Sequence, residues 1–159
     1  MDKIKTKIPP PVITLCFGLI MWAMSLYFPY FSFEEFGFFE EPKLFLIAIV
    51  CIAFGLCLDV VSFINFLKHK TTVNPIRPEK ASALVINGFY RFTRNPMYLG
   101  MAFILTGSAL LFANIGSLLV LPFFIACMNY LQIKPEEKIL ENIFKEGYLE
   151  YKKTVRRWL

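Results

Sequence analysis

Charge is scarce in this sequence. Only 18% of its 159 residues are Asp, Glu, Lys or Arg, against about a quarter in soluble domains. Histidine is scarcer still, with His69 alone. The four cysteines, Cys16, Cys51, Cys57 and Cys127, make no Cys-x-x-Cys pair and all sit inside apolar runs. These shortages exclude a Cys/His metal site and a disulfide framework, and leave the cysteines as small apolar side chains. No Gly-x-Gly-x-x-Gly follows a strand-like run, so a soluble Rossmann-type nucleotide domain is excluded. Polar–apolar alternation of the kind an outer-membrane barrel needs is missing as well. Internal repeats and low-complexity runs are absent.

What the chain has instead is apolar sequence in blocks. Hydrophobic residues make up 57% of it. Val12 to Phe31 carries no charge, Leu44 to Leu67 carries only Asp59, and Met97 to Ile133 carries none. A bilayer core of about 30 Å needs about 20 apolar residues per helix, and backbone polar groups in lipid must be satisfied within the segment. The blocks therefore predict an all-α integral membrane bundle of about four transmembrane helices, near 11–31, 43–68, 96–113 and 116–134, in a single domain over 1–159. The first run outlasts a signal-peptide core, and Pro29-Tyr30-Phe31 is no small-residue cleavage site, so it reads as a retained helix. Ala113-Asn114-Ile115-Gly116 supplies the turn between the third and fourth helices.

Basic residues set the orientation. Lys3, Lys5 and Lys7 precede the first span, six Lys/Arg lie between the second and third, and seven follow the fourth. The opposite side holds Lys43 beside Glu34, Glu35, Glu40 and Glu41. The positive-inside rule then puts both termini and the long loop near 69–95 in the cytoplasm, at the inner membrane of a prokaryote. The net charge of +5 reflects bases facing anionic lipid rather than nucleic acid. After Pro135, apolar residues recur at Leu140, Ile143, Phe144, Tyr148, Tyr151, Val155 and Trp158. That spacing predicts a C-terminal amphipathic helix over 135–157, lying on the membrane surface or folded over the loop.

Three features can carry chemistry. The stretch Gly88 to Gly100 combines glycines and a proline with Arg91, Arg94, Tyr90 and Tyr98; its bland alternative is an interfacial anchor. Glu136-Glu137 follows the fourth span, either capping the helix or placing a carboxylate in a pocket. Asp59 is an ionisable group within a span, expensive in lipid and a functional candidate by default, or else a group paired with a loop base.

Together the residues Leu84-Val85-x-x-Gly88-x-Tyr90-x-x-x-Arg94-Asn95-Pro96-x-Tyr98-x-Gly100, then Glu136-Glu137, then Phe144-x-x-x-Tyr148-x-x-Tyr151 resemble the isoprenylcysteine carboxyl methyltransferase and phospholipid methyltransferase superfamily. The resemblance covers about residues 66–159. It implies S-adenosyl-L-methionine as methyl donor, S-adenosyl-L-homocysteine as product, and a pocket facing the cytoplasm. Carried over by position, Ser82, Ala83, Leu84, Val85, Tyr90, Asn95, Pro96, Met97, Tyr98 and Glu136 are the expected cofactor residues. Arg94, Gln132 and Glu136 are the catalytic candidates. In the carboxyl methyltransferases an arginine stands four residues before the glutamate and positions the substrate carboxylate; Gln132 stands there here. Asn95 replaces the usual histidine before the motif proline, as it does among phospholipid methyltransferases. The implied acceptor is a hydrophobic molecule reached from the bilayer, either an isoprenoid carboxylate or another lipid, including a phospholipid amine. The competing readings are a non-catalytic protein of the same fold that binds the cofactor or a lipid, and a transporter, for which the spans have too few polar residues.

Overall fold

A computed structural model describes residues 8–33, 41–68 and 83–159. The regular elements among them are all helical, joined by two isolated bridges, Ser32 with Asn114 and Thr93 with Arg156. Helix α1 is Pro10–Tyr27, with prolines in its first turn, where a missing N–H costs nothing. It stops short of residue 31 because Pro29 opens a separate 3-10 turn, Pro29–Phe31. Helix α2 is Glu41–Lys68, and a second 3-10 turn, Gly88–Arg91, precedes α3, Pro96–Leu111. The fourth apolar run is a rod of several pieces: α4, Ile115–Leu119, α5, Leu121–Met128, and a π-helical turn, Asn129–Ile133. Helix α6, Lys134–Thr154, continues from it.

Three stretches are long and apolar enough to cross a membrane: Pro10–Tyr27, Lys43–Lys68, and Ile115–Thr154 through its first half; α3 is a shorter apolar helix. Leu15, Leu19 and Trp22 on α1, and Phe45, Leu46, Val50, Leu56 and Val60 on α2, are exposed. Such flanks are stable only against lipid. The interior between α1, α3 and α5 is apolar, with Met21, Ala109, Phe124 and Met128 inaccessible.

Helices α2 and α3 pack with their backbones almost touching. A Cβ on Gly55 would lie 2.5 Å from the Gly100 carbonyl oxygen, and one on Gly107 would lie 2.6 Å from that of Ala48. Small residues let helices approach this closely in lipid, where dispersion rather than water expulsion drives packing. The contact stripe on α2 runs Ala48, Ile52, Gly55, Asp59 and Ser62, at alternating spacings of four and three. At the end of the bundle where α3 meets α4, Asn114 accepts from Ser117 N at 2.9 Å and donates to Phe28 O at 3.0 Å.

The C-terminal amphipathic segment is present, and it is bent back on itself. Lys145 has φ 44° and ψ −120°, the geometry of the first central residue of a type II′ turn. Two ion pairs measure the reversal. Glu141 pairs with Lys152, and Glu137 with Arg157 at 2.7 Å. In a straight helix those pairs would stand about 16 and 30 Å apart along the axis.

Candidate functional site

A second group of buried polar residues lies where α2 ends and α3 begins. Pro96 fixes the first turn of α3 and so aims Tyr98 inward, where it is buried. Its hydroxyl donates to Glu136 Oε1 at 2.5 Å. Glu136 reaches this point because the rod widens just before it: the Lys134 N–H bonds to Asn129 O, five residues back. Pro135 explains the widening, since its ring crowds the carbonyl four residues earlier. Burial pushes the Glu136 carboxyl up to about 8, the Glu137 charge adding to the rise and the Tyr98 hydroxyl opposing it.

Tyr90 joins the Tyr98–Glu136 pair from the 3-10 turn. It is buried and packs edge-on against Phe66 at the end of α2, with ring centroids 5.5 Å apart. Its backbone carbonyl accepts from the Tyr151 hydroxyl at 2.6 Å. Burial, followed by the charges of Tyr151 and Glu136, raises its phenol well above the ordinary value, so it is a neutral donor at any working pH. Gly88, with φ 63°, lies against the Asn65 side chain; a side chain there would meet both backbone strain and that amide. Leu84 packs on a small cluster of Tyr148, Tyr151 and Val155, and Val85 is buried.

Arg94 has another occupation. Its Nη2 donates to Glu137 Oε1 at 2.8 Å, and its Nη1 to the carbonyls of Val155 at 2.7 Å and Lys152 at 3.2 Å. Arg157 holds the same carboxylate through Nε at 3.0 Å and Nη2 at 2.7 Å. Burial would raise the Glu137 carboxyl, but the hydrogen bonds from Arg157 and Arg94 outweigh it and hold the group below its ordinary value. Asn95 Nδ2 and Thr93 Oγ1 both donate to Arg157 O, at 2.9 and 3.1 Å. Trp158 donates to Asn129 Oδ1 at 3.1 Å. The C-terminal residues are thus tied to the start of α3 and to Asn129.

Of the expected residues, the structure brings Tyr90, Tyr98 and Glu136 together, while Leu84 packs on the Tyr148–Tyr151 cluster and Val85 is buried. Pro96 is buried and Met97 half-buried on α3, Ala83 is the first described residue before the 3-10 turn, and Ser82 lies outside the described residues. Asn95 and Arg94 are committed to the C-terminal strap. Gln132 is fully buried, its Nε2 donating to Ile8 O at 2.6 Å while its Oε1 finds no partner. The residues not expected at the site are Arg157, Trp158 and Ser62. The first two come from the far end of the chain, and no local spacing announces them. Ser62 falls on the same face of α2 as Asp59, three residues on, which is the one signal that points to it. Among the described residues no cluster of His, Cys, Asp and Glu could hold a metal.

A helical membrane bundle with a buried carboxyl–phenol pair at one end, beside a C-terminal segment tied back to the start of α3, is the class that fold and site define. Within that class the chain belongs to the phospholipid methyltransferase family, whose model matches residues 44–147. It is 35% identical over 79 residues to a protein-S-isoprenylcysteine O-methyltransferase of Saccharomyces cerevisiae, an alignment covering 50% of this chain and 33% of the yeast protein. It is also 41% identical over 63 residues to an uncharacterised protein of Haemophilus influenzae, covering 40% of this chain and all of that protein. No solved structure matches.

Proposed function

We propose that this protein is an S-adenosyl-L-methionine-dependent methyltransferase of the membrane, acting on a lipophilic acceptor, with both termini and the pocket in the cytoplasm. The observation that carries the reading is the buried Tyr98–Glu136 pair beneath Tyr90, lying within the stretch that matches the family.

The residues present fit the cofactor. Glu136 offers a carboxylate to the ammonium or to ribose hydroxyls, in the charge-assisted bonds that are strongest. Leu84, Val85 and Tyr90 offer apolar and aromatic surface to an adenine. When bound, the cofactor supplies a methyl group on a positively charged sulfur. The chain contributes alignment and exclusion of water. The C-terminal strap covers the pocket, and the lipid-facing side of α2 and α3 lets an acceptor in from the bilayer. Arg94 holds Glu137 and two carbonyls through its Nη atoms, and its Nε, buried without a partner, or loop amides would meet a ligand carboxylate.

The test is calorimetric titration of S-adenosyl-L-homocysteine into the purified protein in lipid nanodiscs, alongside Glu136→Ala. Binding that the substitution weakens at least tenfold, about 1.4 kcal/mol, is the expected result. Folded protein that does not bind it ends the methyltransferase reading. Binding with no transfer to any lipophilic acceptor would make the protein a cofactor-binding relative instead.

A further inference from the structure

Two consecutive acids open α6, and one helical step of about 100° sends them to different partners. Glu136 accepts from the Tyr98 hydroxyl at 2.5 Å. Glu137 is held by two arginines. Arg157 donates to both of its oxygens, through Nε at 3.0 Å and Nη2 at 2.7 Å, and Arg94 adds one bond through Nη2 at 2.8 Å. The rod behind α6 does not set this division. Pro135 has no N–H to give to the carbonyl four residues back, and the Lys134 N–H bonds five residues back, to Asn129 O. Two bonds that would carry the rotation of the rod into α6 are thus missing or displaced, and a helix turns or bends at such a joint.

The orientation of α6 is therefore fixed from its far side. Two parallel bonds from the planar Arg157 fork fix the plane of the Glu137 carboxylate, whereas the single bond from Arg94 lets it swivel. Arg94 has no second bond to give. Its Nη1 is spent on the carbonyls of Val155 and Lys152, and its Nε is bonded to nothing. The Glu137 side chain is 8% exposed, so water does not stand in for a lost guanidinium. Arg157 reaches this carboxylate only because the chain reverses at Lys145. The end of the chain thus holds the start of α6.

We propose that Arg157, acting through Glu137, is a positioning residue that fixes the rotation of α6 and so delivers Glu136 to Tyr98 in the orientation that meets the cofactor. The inference rests on the methyltransferase reading above for what Glu136 binds. Released from the fork, α6 turns about the Pro135 joint and Glu136 leaves the Tyr98 hydroxyl. The ionisable groups facing Glu136 are Glu137 beside it, Tyr98 on α3 and Tyr90 on the 3-10 turn. None of these is a cation, so none draws the carboxylate back once the fork is gone.

The experiment follows the infrared carbonyl band of protonated Glu136, identified by its loss in Glu136→Gln, in the whole protein in nanodiscs. A hydrogen bond lowers the stretching frequency of a carbonyl, so Tyr98→Phe marks where the unbonded band lies. Arg157→Gln is expected to move the band to that position, with thermal unfolding as the check on folding. Arg157→Lys keeps the charge but lacks the fork, shifts the band the same way, and is read in its place should Arg157→Gln not fold. Titration of S-adenosyl-L-homocysteine supplies the second readout. Arg157→Gln should weaken binding about tenfold in the wild-type background and less than about twofold in Glu136→Ala, because a residue acting through Glu136 is coupled to it. A band that Arg157→Gln leaves in place overturns the proposal. So does a tenfold loss that persists without Glu136, which would put the effect on Arg94 and the ligand instead. Wild-type protein that binds no S-adenosyl-L-homocysteine ends the methyltransferase reading, and the infrared band still judges the role of Arg157.

Discussion

Glu136 and Glu137 are neighbours in sequence with opposite electrostatic fates. Glu136 is buried with a phenol for company and is pushed up to about 8, so at pH 7 it is mostly protonated. A cation placed against it would draw it back to the ionised form. Ligand binding should then release up to one proton at pH 7, seen as a dependence of the binding heat on the ionisation enthalpy of the buffer. Glu136→Gln should abolish that dependence. Glu137 sits between two guanidinium groups, which hold it below its ordinary 4.5 against the pull of burial. Its contribution to stability is full above that unfolded value and is lost as pH falls through the lower folded one. Replacing it with Gln leaves Arg94, whose side chain is 8% exposed, without its charge partner. A loss of about 3–5 kcal/mol is expected on the scale of broken buried pairs, read as a lower thermal midpoint in detergent, and the variant should lack the wild-type drop below pH 4.5.

At the scale of elements, glycines differ by what surrounds them. Gly107→Val must push its branches into the Ala48 carbonyl and Ile52, and should cost about 1–3 kcal/mol as overpacking. Gly147 has nothing within 4 Å and lies in a helix, so Gly147→Ala should stabilise by about 0.5–1 kcal/mol. Lys145 holds a conformation that favours glycine. Lys145→Gly should relieve strain and gain about 1 kcal/mol net of the added freedom of the unfolded chain. Chemical denaturation of the three variants under one set of conditions checks the order Gly147→Ala and Lys145→Gly above wild type, Gly107→Val below.

At the scale of the whole molecule, one strap joins the end of the chain to the start of α3. Arg94 N donates to Arg156 O at 2.9 Å, Asn95 and Thr93 reach Arg157 O, and Trp158 reaches Asn129. Removing Val155 onward takes away every one of these acceptors and the Trp158 donor. Limited proteolysis of that truncation should open the stretch around residues 83–95 while leaving the spans intact, and cofactor affinity should fall with it.

The sequence by itself determined the helical membrane bundle, because a run of about 20 uncharged residues has no other stable state in lipid. It also offered Tyr90, Tyr98 and Glu136 as candidates through a recognisable pattern, and the fold brings the three together. It left the partners undecided. That Arg94 meets the Val155 carbonyl and that Arg157 joins it on Glu137 depend on the reversal at Lys145, a lysine in a glycine-like conformation. Local periodicity reads α6 as one straight helix, since no proline or glycine marks position 145. Asp59 stood out in the sequence as a costly charge, but only packing showed that Gly100 makes room for it and that no cation among the described residues answers it. Hydrophobicity is summed along a segment and can be read there. Which charge meets which is settled by distance in three dimensions, and that is decided by the tertiary structure.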